Sequence, residues 1–101
     1  MPIFRTLRYK LKPESVEKCR QLLQEYMTLQ RQNEPGTLFY FVMQEKDDPT
    51  IFMHFGVYED EAAAEAHGNN AYVKHYADSV FAEAPEPGVL VDYDLIASKN
   101  I

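Results

Sequence analysis

The sequence predicts a mixed α+β fold in a single domain, because strand-like and helix-like patterns alternate in the order β-α-β-β-α-β along its 101 residues. Four segments are rich in β-branched and aromatic residues, and two longer segments repeat their apolar residues at helical spacing. Proline-containing turns at 33–36, 46–49 and 85–88 separate these segments. This order is that of the ferredoxin-like motif, in which two helices cover one face of a four-stranded antiparallel sheet.

The first half of the chain predicts a strand followed by a long helix. Side chains alternate over residues 4–10, so that Arg5 and Tyr9 point to the same side. Apolar residues then recur at intervals of three and four from residue 14 to about residue 32. We expect this helix to end at 33–36, because proline cannot continue a helix and glycine accepts a sharp turn.

The middle of the chain predicts a hairpin and then a broken helix. Residues 37–45 and 51–58 are the two strands, and a polar turn joins them. A helix is expected to start near Asp60, a residue type that caps helix N-termini. We expect the helix to break at Gly68 and to resume after Asn70.

The C-terminal part predicts a last strand over residues 89–97 and a tail over residues 98–101. The sequence contains no internal repeat and no linker-like segment. One domain is therefore expected to span residues 1–101.

Composition and charge argue against several classes of protein. The net charge of −6 would repel nucleic acid and anionic membrane surfaces. No apolar run approaches the ~20 residues of a membrane span, and the N-terminus lacks the pattern of an export signal, so we expect a cytoplasmic protein. Cys19 is the only cysteine, and the three histidines lack the spacing of a metal site, so no disulfide and no metal are expected.

Both faces of the predicted sheet are apolar, which predicts a homodimer. The helices of one copy can cover only one face, and a soluble monomer rarely exposes a large apolar patch on the other. A second copy packed sheet to sheet would bury that patch. In each of the last three predicted strands, one side is formed by apolar residues: Phe39, Phe41 and Met43 in the first, Ile51, Met53, Phe55 and Val57 in the second, and Val89, Val91, Tyr93 and Leu95 in the third.

Two histidines are the main candidates for catalysis. His54 lies among aromatic residues in a predicted central strand, and Gly56 on the same face leaves room beside its imidazole. His67 ends a short predicted helix close to that strand. Each could serve as a general base or hydrogen-bond donor. The alternatives are a structural His54 satisfied by its neighbours and a His67 that caps the end of its helix.

Tyrosines are the candidates for binding a substrate. Tyr40, Tyr58, Tyr72 and Tyr76 could line an aromatic cavity next to the histidines. For each of them, the alternative is an ordinary core position with its hydroxyl bonded to water or backbone. His75 is expected at the surface, away from this cavity.

Short motifs in a fixed order carry a resemblance to a known family. They are Lys12-Pro13-Glu14, Glu34-Pro35-Gly36, Asp48-Pro49, Tyr58-Glu59-Asp60 and Ala63-Ala64-Glu65-Ala66-His67. Together they span nearly the whole chain and resemble the antibiotic biosynthesis monooxygenase domain, whose relatives include small quinol monooxygenases and an autoinducer-processing isomerase.

The resemblance implies a dimeric α+β barrel with a pocket between sheet and helices in each protomer. It also implies oxidation of phenolic substrates by O₂ without metal, flavin or haem. His67 corresponds to a recurrent family position. Gly56 stands where the family has an acid, Tyr58 where it often has tryptophan, and Tyr72 where it often has histidine.

Our functional hypothesis is a cofactor-independent monooxygenase that oxidises a small quinol or polyphenol. His54 and His67 would act as base and orienting group, with Tyr58 and Tyr72 shaping the pocket. One alternative is an isomerase or cyclase of a small carbonyl compound, which would need the base but no O₂. The other is a non-catalytic dimer that binds a small ligand.

Overall fold

The structure is a computed structural model that describes residues 1–82 and 84–99. A 3₁₀ turn at Pro13–Ser15 leads into the first helix. The other elements, in chain order, are β1 (Ile3–Lys10), α1 (Val16–Asn33), β2 (Thr37–Gln44), β3 (Ile51–Tyr58), α2 (Glu61–Asn69), α3 (Ala71–Phe81) and β4 (Val89–Tyr93).

The strands form one antiparallel sheet in the order β2-β3-β1-β4. This is the strand order of the ferredoxin-like motif, so the predicted fold class is confirmed. Within residues 1–82 and 84–99, no helix is both long and apolar enough to cross a membrane.

The strand register separates an inner face, covered by the helices, from an outer face. On the inner face, His54 in β3 lies between Leu7 of β1 and Val42 of β2. The next inner row places Gly56 between Arg5 and Tyr40. The buried core lies between this face and the helices and consists of Tyr9, Leu11, Cys19, Leu23, Tyr26, Phe52, Tyr76 and Val80.

The broken helix differs from the prediction in where it breaks. Gly68 lies inside α2, which continues to Asn69, and the break falls at Asn70. Asn70 precedes α3 but does not cap it with its side chain; its Nδ2 instead donates to the carbonyl of Ala66 at 2.9 Å and so satisfies the end of α2. The predicted start is confirmed, since Asp60 Oδ1 accepts from the amide of Ala63 at 2.9 Å.

The last strand is shorter than predicted, because it ends at Tyr93 and not at residue 97. Its final pair joins Tyr93 to Phe4, and β1 begins only one residue earlier, at Ile3. The strand it pairs with therefore ends, and alternation alone cannot extend the ladder. Residues 100–101 of the predicted tail lie outside the described residues.

The outer face of the sheet carries exposed apolar side chains. Phe41 is 45% exposed although it stacks on Phe55 at a ring-centroid distance of 5.1 Å, and Tyr93 is 54% exposed. No helix covers this face within the described ranges, because α1, α2 and α3 all pack on the inner side. The other exposed large apolar residues that β2 and β4 contribute to this face are Phe39, Met43, Val89 and Val91.

Replacing either of two glycines by alanine should change the free energy of unfolding, in opposite directions. A Cβ on Gly36 would lie 2.8 Å from the Cβ of Ala63, so Gly36→Ala should lower the free energy of unfolding by about 1–3 kcal/mol. A Cβ on Gly68 would meet nothing within 4 Å, so Gly68→Ala should raise it by roughly 0.5–1 kcal/mol because alanine favours helix. Urea unfolding followed by circular dichroism measures both. A destabilised Gly68→Ala variant would contradict a continuous α2.

Candidate functional site

A cavity of about 260 Å³ lies between the inner face of the sheet and the helices. Cavities of roughly 150 Å³ hold a benzene ring, so this one has room for a small substituted aromatic compound. Each strand and each α-helix contributes to its wall. The lining residues are Arg5, Leu7, Tyr26, Tyr40, His54, Gly56, Tyr58, Ala64, His67, Gly68, Val73, Tyr76, Ala77, Phe81 and Leu90.

His54 is buried, and both of its ring nitrogens are hydrogen-bonded to tyrosine hydroxyls. Its Nε2 lies 2.6 Å from the hydroxyl of Tyr9, and its Nδ1 lies 2.6 Å from that of Tyr40. Burial, assisted by the nearby His67, lowers the pKa of His54 to about 3. The imidazole is therefore neutral near neutral pH, with one nitrogen donating and the other accepting.

His67 forms a pair with the carboxylate of Glu34. Its Nδ1 lies 2.7 Å from Glu34 Oε1, and its Nε2 lies 3.1 Å from the hydroxyl of Tyr26. Glu34 comes directly after α1 and its side chain is 4% exposed. Thr37 donates to Oε1 of this carboxylate at 2.7 Å, and the hydroxyl of Tyr72 donates to Oε2.

The hydrogen bonds to Glu34 keep it ionised. Burial raises the pKa of Glu34, but hydrogen bonds from His67, Tyr72 and Thr37 outweigh it and leave the pKa below its usual range. Near neutral pH the carboxylate therefore accepts hydrogen bonds and donates none.

The two histidines belong to one continuous hydrogen-bond chain. The hydroxyls of Tyr26 and Tyr40 are 3.0 Å apart and connect His67 to His54. Beyond His54, the hydroxyl of Tyr9 lies 2.5 Å from that of Tyr76, which lies 3.2 Å from Cys19 Sγ. In order, the hydrogen-bond chain consists of Cys19, Tyr76, Tyr9, His54, Tyr40, Tyr26, His67 and Glu34.

Burial keeps the tyrosine hydroxyls and the cysteine thiol of this hydrogen-bond chain protonated. It raises the pKa of Tyr9, Tyr26, Tyr40 and Tyr76 above the ordinary value of a phenol. It also raises the pKa of the Cys19 thiol. Each hydroxyl can therefore donate one hydrogen bond while it accepts another.

The structure brings most of the predicted site residues to the cavity. His54, His67, Tyr40, Tyr58 and Tyr76 all line it. Tyr72 does not line it; this residue lies in the first turn of α3, and its hydroxyl donates to Glu34. Within residues 1–82 and 84–99, no group of three His, Cys, Asp or Glu side chains is arranged to hold a metal ion.

Sequence reasoning missed four residues of the site. Tyr9 and Tyr26 were assigned only to a strand and a helix, and Glu34 only to the helix-ending turn and to one of the motifs that carry the family resemblance. Nothing in the local pattern distinguishes Glu34, because its partners lie up to 38 residues away. For Arg5 a signal existed, since alternation along β1 places it on the inner face, where it lines the cavity and pairs with Asp92 at 2.6 Å.

Tyr58 depends on the glycine two residues before it. A Cβ on Gly56 would lie 2.8 Å from the Tyr58 hydroxyl and 2.9 Å from its Cζ, so the ring lies back over Gly56. There it is held next to His67, at a ring-centroid distance of 5.3 Å. The space beside His54 that the sequence suggested at Gly56 is thus partly filled by Tyr58.

Comparison with known proteins identifies relatives of this chain. The family model described as antibiotic biosynthesis monooxygenase matches residues 2–79. A search of curated proteins finds no match.

Solved structures share the fold. A Bacteroides thetaiotaomicron protein whose name includes antibiotic biosynthesis monooxygenase is 25% identical, with a TM-score of 0.86 over 95% of this chain and 90% of its own. A similarly named Nitrosomonas europaea protein is 24% identical, with a TM-score of 0.84 over 91% and 88% of the two chains. Rv0793 of Mycobacterium tuberculosis is 19% identical, with a TM-score of 0.85 over 97% and 98%. The last two show similarity of fold alone.

Burial of neutral His54 predicts a pH-dependent stability. Its pKa rises from about 3 in the folded chain to about 6.5 when unfolded, so protonation below pH 6.5 favours unfolding. The stabilisation is complete above pH 6.5 and should fall by up to about 1.4 kcal/mol per pH unit below it. Urea unfolding between pH 5 and 7.5 measures the slope.

Two variants separate this effect from general acid sensitivity. His54→Gln should reduce the slope between pH 5 and 6.5, because the titrating group is gone. His75→Gln, which removes an exposed histidine of α3, should keep it. Equal slopes in the wild type and in His54→Gln would contradict the burial of a neutral imidazole.

Proposed function

Because the chain belongs to the antibiotic biosynthesis monooxygenase family, we propose that it is a monooxygenase that oxidises a small quinol or polyphenol with O₂. The observation that carries the proposal is the pair of His67 and Glu34 at the wall of an aromatic cavity of about 260 Å³. A single substituted ring would fill such a cavity and contact its tyrosines edge-on or offset.

The proposed base is His67. A carboxylate bonded to one nitrogen of an imidazole fixes its tautomer and stabilises the cation that forms when the other nitrogen takes a proton. Glu34 is placed to do both. His54 is a poor base, since its pKa is low and both nitrogens are bonded to tyrosines, and its proposed role is to orient Tyr9 and Tyr40.

Loss of the phenolic proton makes the substrate reactive towards oxygen. The resulting phenolate is electron-rich and transfers an electron to O₂, after which the two radicals combine at a ring carbon to form a peroxide. The imidazolium of His67 returns its proton to the peroxide anion, and loss of water, which takes the hydrogen of that ring carbon, leaves a carbonyl group. For a hydroquinone the balance is one quinol and one O₂ giving one hydroxyquinone and one water.

We propose further that the working form is a homodimer. Its support is the outer face of the sheet, where the row Phe41, Phe55, Thr6 and Val91 presents mainly apolar side chains. A contiguous apolar patch of this kind is typical of an interface between proteins. A second copy of the same face, related by a two-fold axis, would cover it with matching apolar side chains.

A second candidate function is an isomerase or cyclase that acts on a small carbonyl compound. It is favoured by the hydrogen-bond chain, because such a reaction needs a group that removes a proton and then returns it. Turnover without oxygen would distinguish it from the monooxygenase. A protein that only binds a ligand would be stabilised by that ligand and would form no product.

Oxygen uptake by metal-stripped protein with a panel of quinols and polyphenols tests the monooxygenase. We expect uptake with one substrate or more, together with a product that carries one added oxygen atom by mass spectrometry. His67→Ala should lower the rate by at least roughly 10²-fold, the usual contribution of a general base. His75→Ala, an exposed histidine on α3, is the matched control and should keep the rate. Full activity of His67→Ala would contradict its role as base.

Sedimentation velocity tests the homodimer. The wild type should sediment as a dimer, and Phe41→Glu should sediment as a monomer because it places a charge in the apolar outer face. Thr28→Glu adds the same charge to an exposed position of α1 and should remain dimeric. A monomeric wild type at micromolar concentration would contradict the proposal.

A further inference from the structure

The hydrogen-bond chain has a direction, and Glu34 sets it. The ionised carboxylate can only accept, so the hydrogen on His67 must sit on Nδ1, which lies 2.7 Å from Oε1. In neutral His67, Nε2 then carries a lone pair. It therefore accepts from the hydroxyl of Tyr26.

The direction passes unchanged to the second histidine. Tyr26 uses its only hydrogen on His67, so at the contact with Tyr40 it must accept. Tyr40 in turn uses its hydrogen on Tyr26, so it accepts from Nδ1–H of His54. His54 is neutral, and its Nε2 therefore accepts from Tyr9.

The same rule continues to the far end of the chain. Tyr9 donates to His54 and accepts from Tyr76, which accepts from the thiol of Cys19. Every group from Cys19 to His67 thus donates towards Glu34. One buried negative charge determines the tautomers of both histidines, although His54 does not touch it.

We propose that Glu34 is a positioning residue that polarises this chain, and that Tyr26 is the hydroxyl that passes the substrate's proton to His67. The second part rests on the proposed function. The first does not, because the direction of the chain exists without a substrate.

Tyr26 is suited to this transfer because it lines the cavity and its oxygen has a lone pair to spare. The oxygen accepts from Tyr40 and can accept a second hydrogen bond from a substrate hydroxyl. The proton of Tyr26 moves to Nε2 of His67, and the proton of the substrate replaces it on Tyr26. The products are a phenolate bonded to Tyr26 and an imidazolium bonded to Glu34, and no electron or heavy atom is transferred.

The part of the hydrogen-bond chain from Cys19 to Tyr40 supports this step. Tyr40 donates to Tyr26 before and after the transfer, so the groups from Cys19 to Tyr40 need not reorient. Hydrogen-bond donors already aligned in a dry site stabilise charge without the cost of reorganisation.

Nitrogen-15 NMR of the histidine rings tests the polarity in the resting protein. We expect His54, and His67 in its neutral form, to carry their hydrogen on Nδ1, whereas free histidine prefers Nε2. In Glu34→Gln the amide can donate as well as accept, so His67 should gain the Nε2–H form. Glu17→Gln, an exposed glutamate on α1, is the matched control and should leave the spectrum unchanged. Nε2–H and a bare Nδ1 on neutral His67 in the wild type would overturn the polarity.

Steady-state kinetics test the transfer. Glu34→Gln and Tyr26→Phe should each lower kcat by roughly 10²–10⁴-fold with KM changed less than about threefold, since both remove a proton-transfer function. Glu34→Asp should restore part of the activity, because it keeps the charge, and Glu17→Gln should retain full kcat.

The outcomes separate the two proposals. Full kcat in folded Glu34→Gln or Tyr26→Phe, with His67→Ala inactive, would overturn the relay and leave the monooxygenase standing. A wild type that turns over nothing, with or without O₂, would end the monooxygenase and the relay together, while the NMR result still decides the polarity. If Glu34→Gln does not fold, the kcat of Tyr26→Phe still tests the transfer, and the wild-type NMR spectrum still tests the polarity.

Discussion

The buried carboxylate of Glu34 is the constraint on which the rest of this structure depends. It receives hydrogen bonds from Thr37 in β2, His67 in α2 and Tyr72 in α3, and so joins the end of α1 to the three elements around the cavity. An unpaired buried charge is costly, so the carboxylate is tolerated only while these donors stay in place. The same contacts that stabilise the charge therefore fix the geometry of the site.

The core is built from tyrosines where a packed domain more often uses aliphatic residues. The rings of Tyr9, Tyr26 and Tyr76 supply buried apolar area, and their hydroxyls satisfy one another and the histidines. Among the described residues, the Nε2 of Gln30 is the buried side-chain polar atom without a partner. Fully satisfied polar networks are rigid and specific, whereas a partly satisfied one is worse than an apolar core, so loss of one hydroxyl should affect its neighbours along the chain.

Patterns along the sequence correctly predicted the features that depend on local periodicity, namely the order of the elements and the side of a strand on which a residue lies. The alternation of β3 placed His54, Gly56 and Tyr58 on one face, and the order of the elements gave the fold class. The pattern could not reveal contacts between distant segments: Glu34 meets His67 33 residues away, and Tyr9 meets His54 45 residues away. Likewise, the end of β4 is set by the end of the strand it pairs with, and no feature of residues 94–97 indicates it.

The resemblance of the sequence to its family implies an acid at position 56, and Gly56 and Glu34 together explain how this chain can lack it. An acid at position 56 would bring a Cβ within 2.8 Å of the Tyr58 hydroxyl, so that acid and this position of the ring exclude each other. Here Tyr58 occupies the space and lies next to His67, with the two rings tilted by 44°. The carboxylate reaches the same imidazole through Nδ1, from the end of α1. On our proposal the site still has an acid, but the end of α1 supplies it as Glu34 instead of β3. The position of that acid also sets the direction in which the site moves a proton.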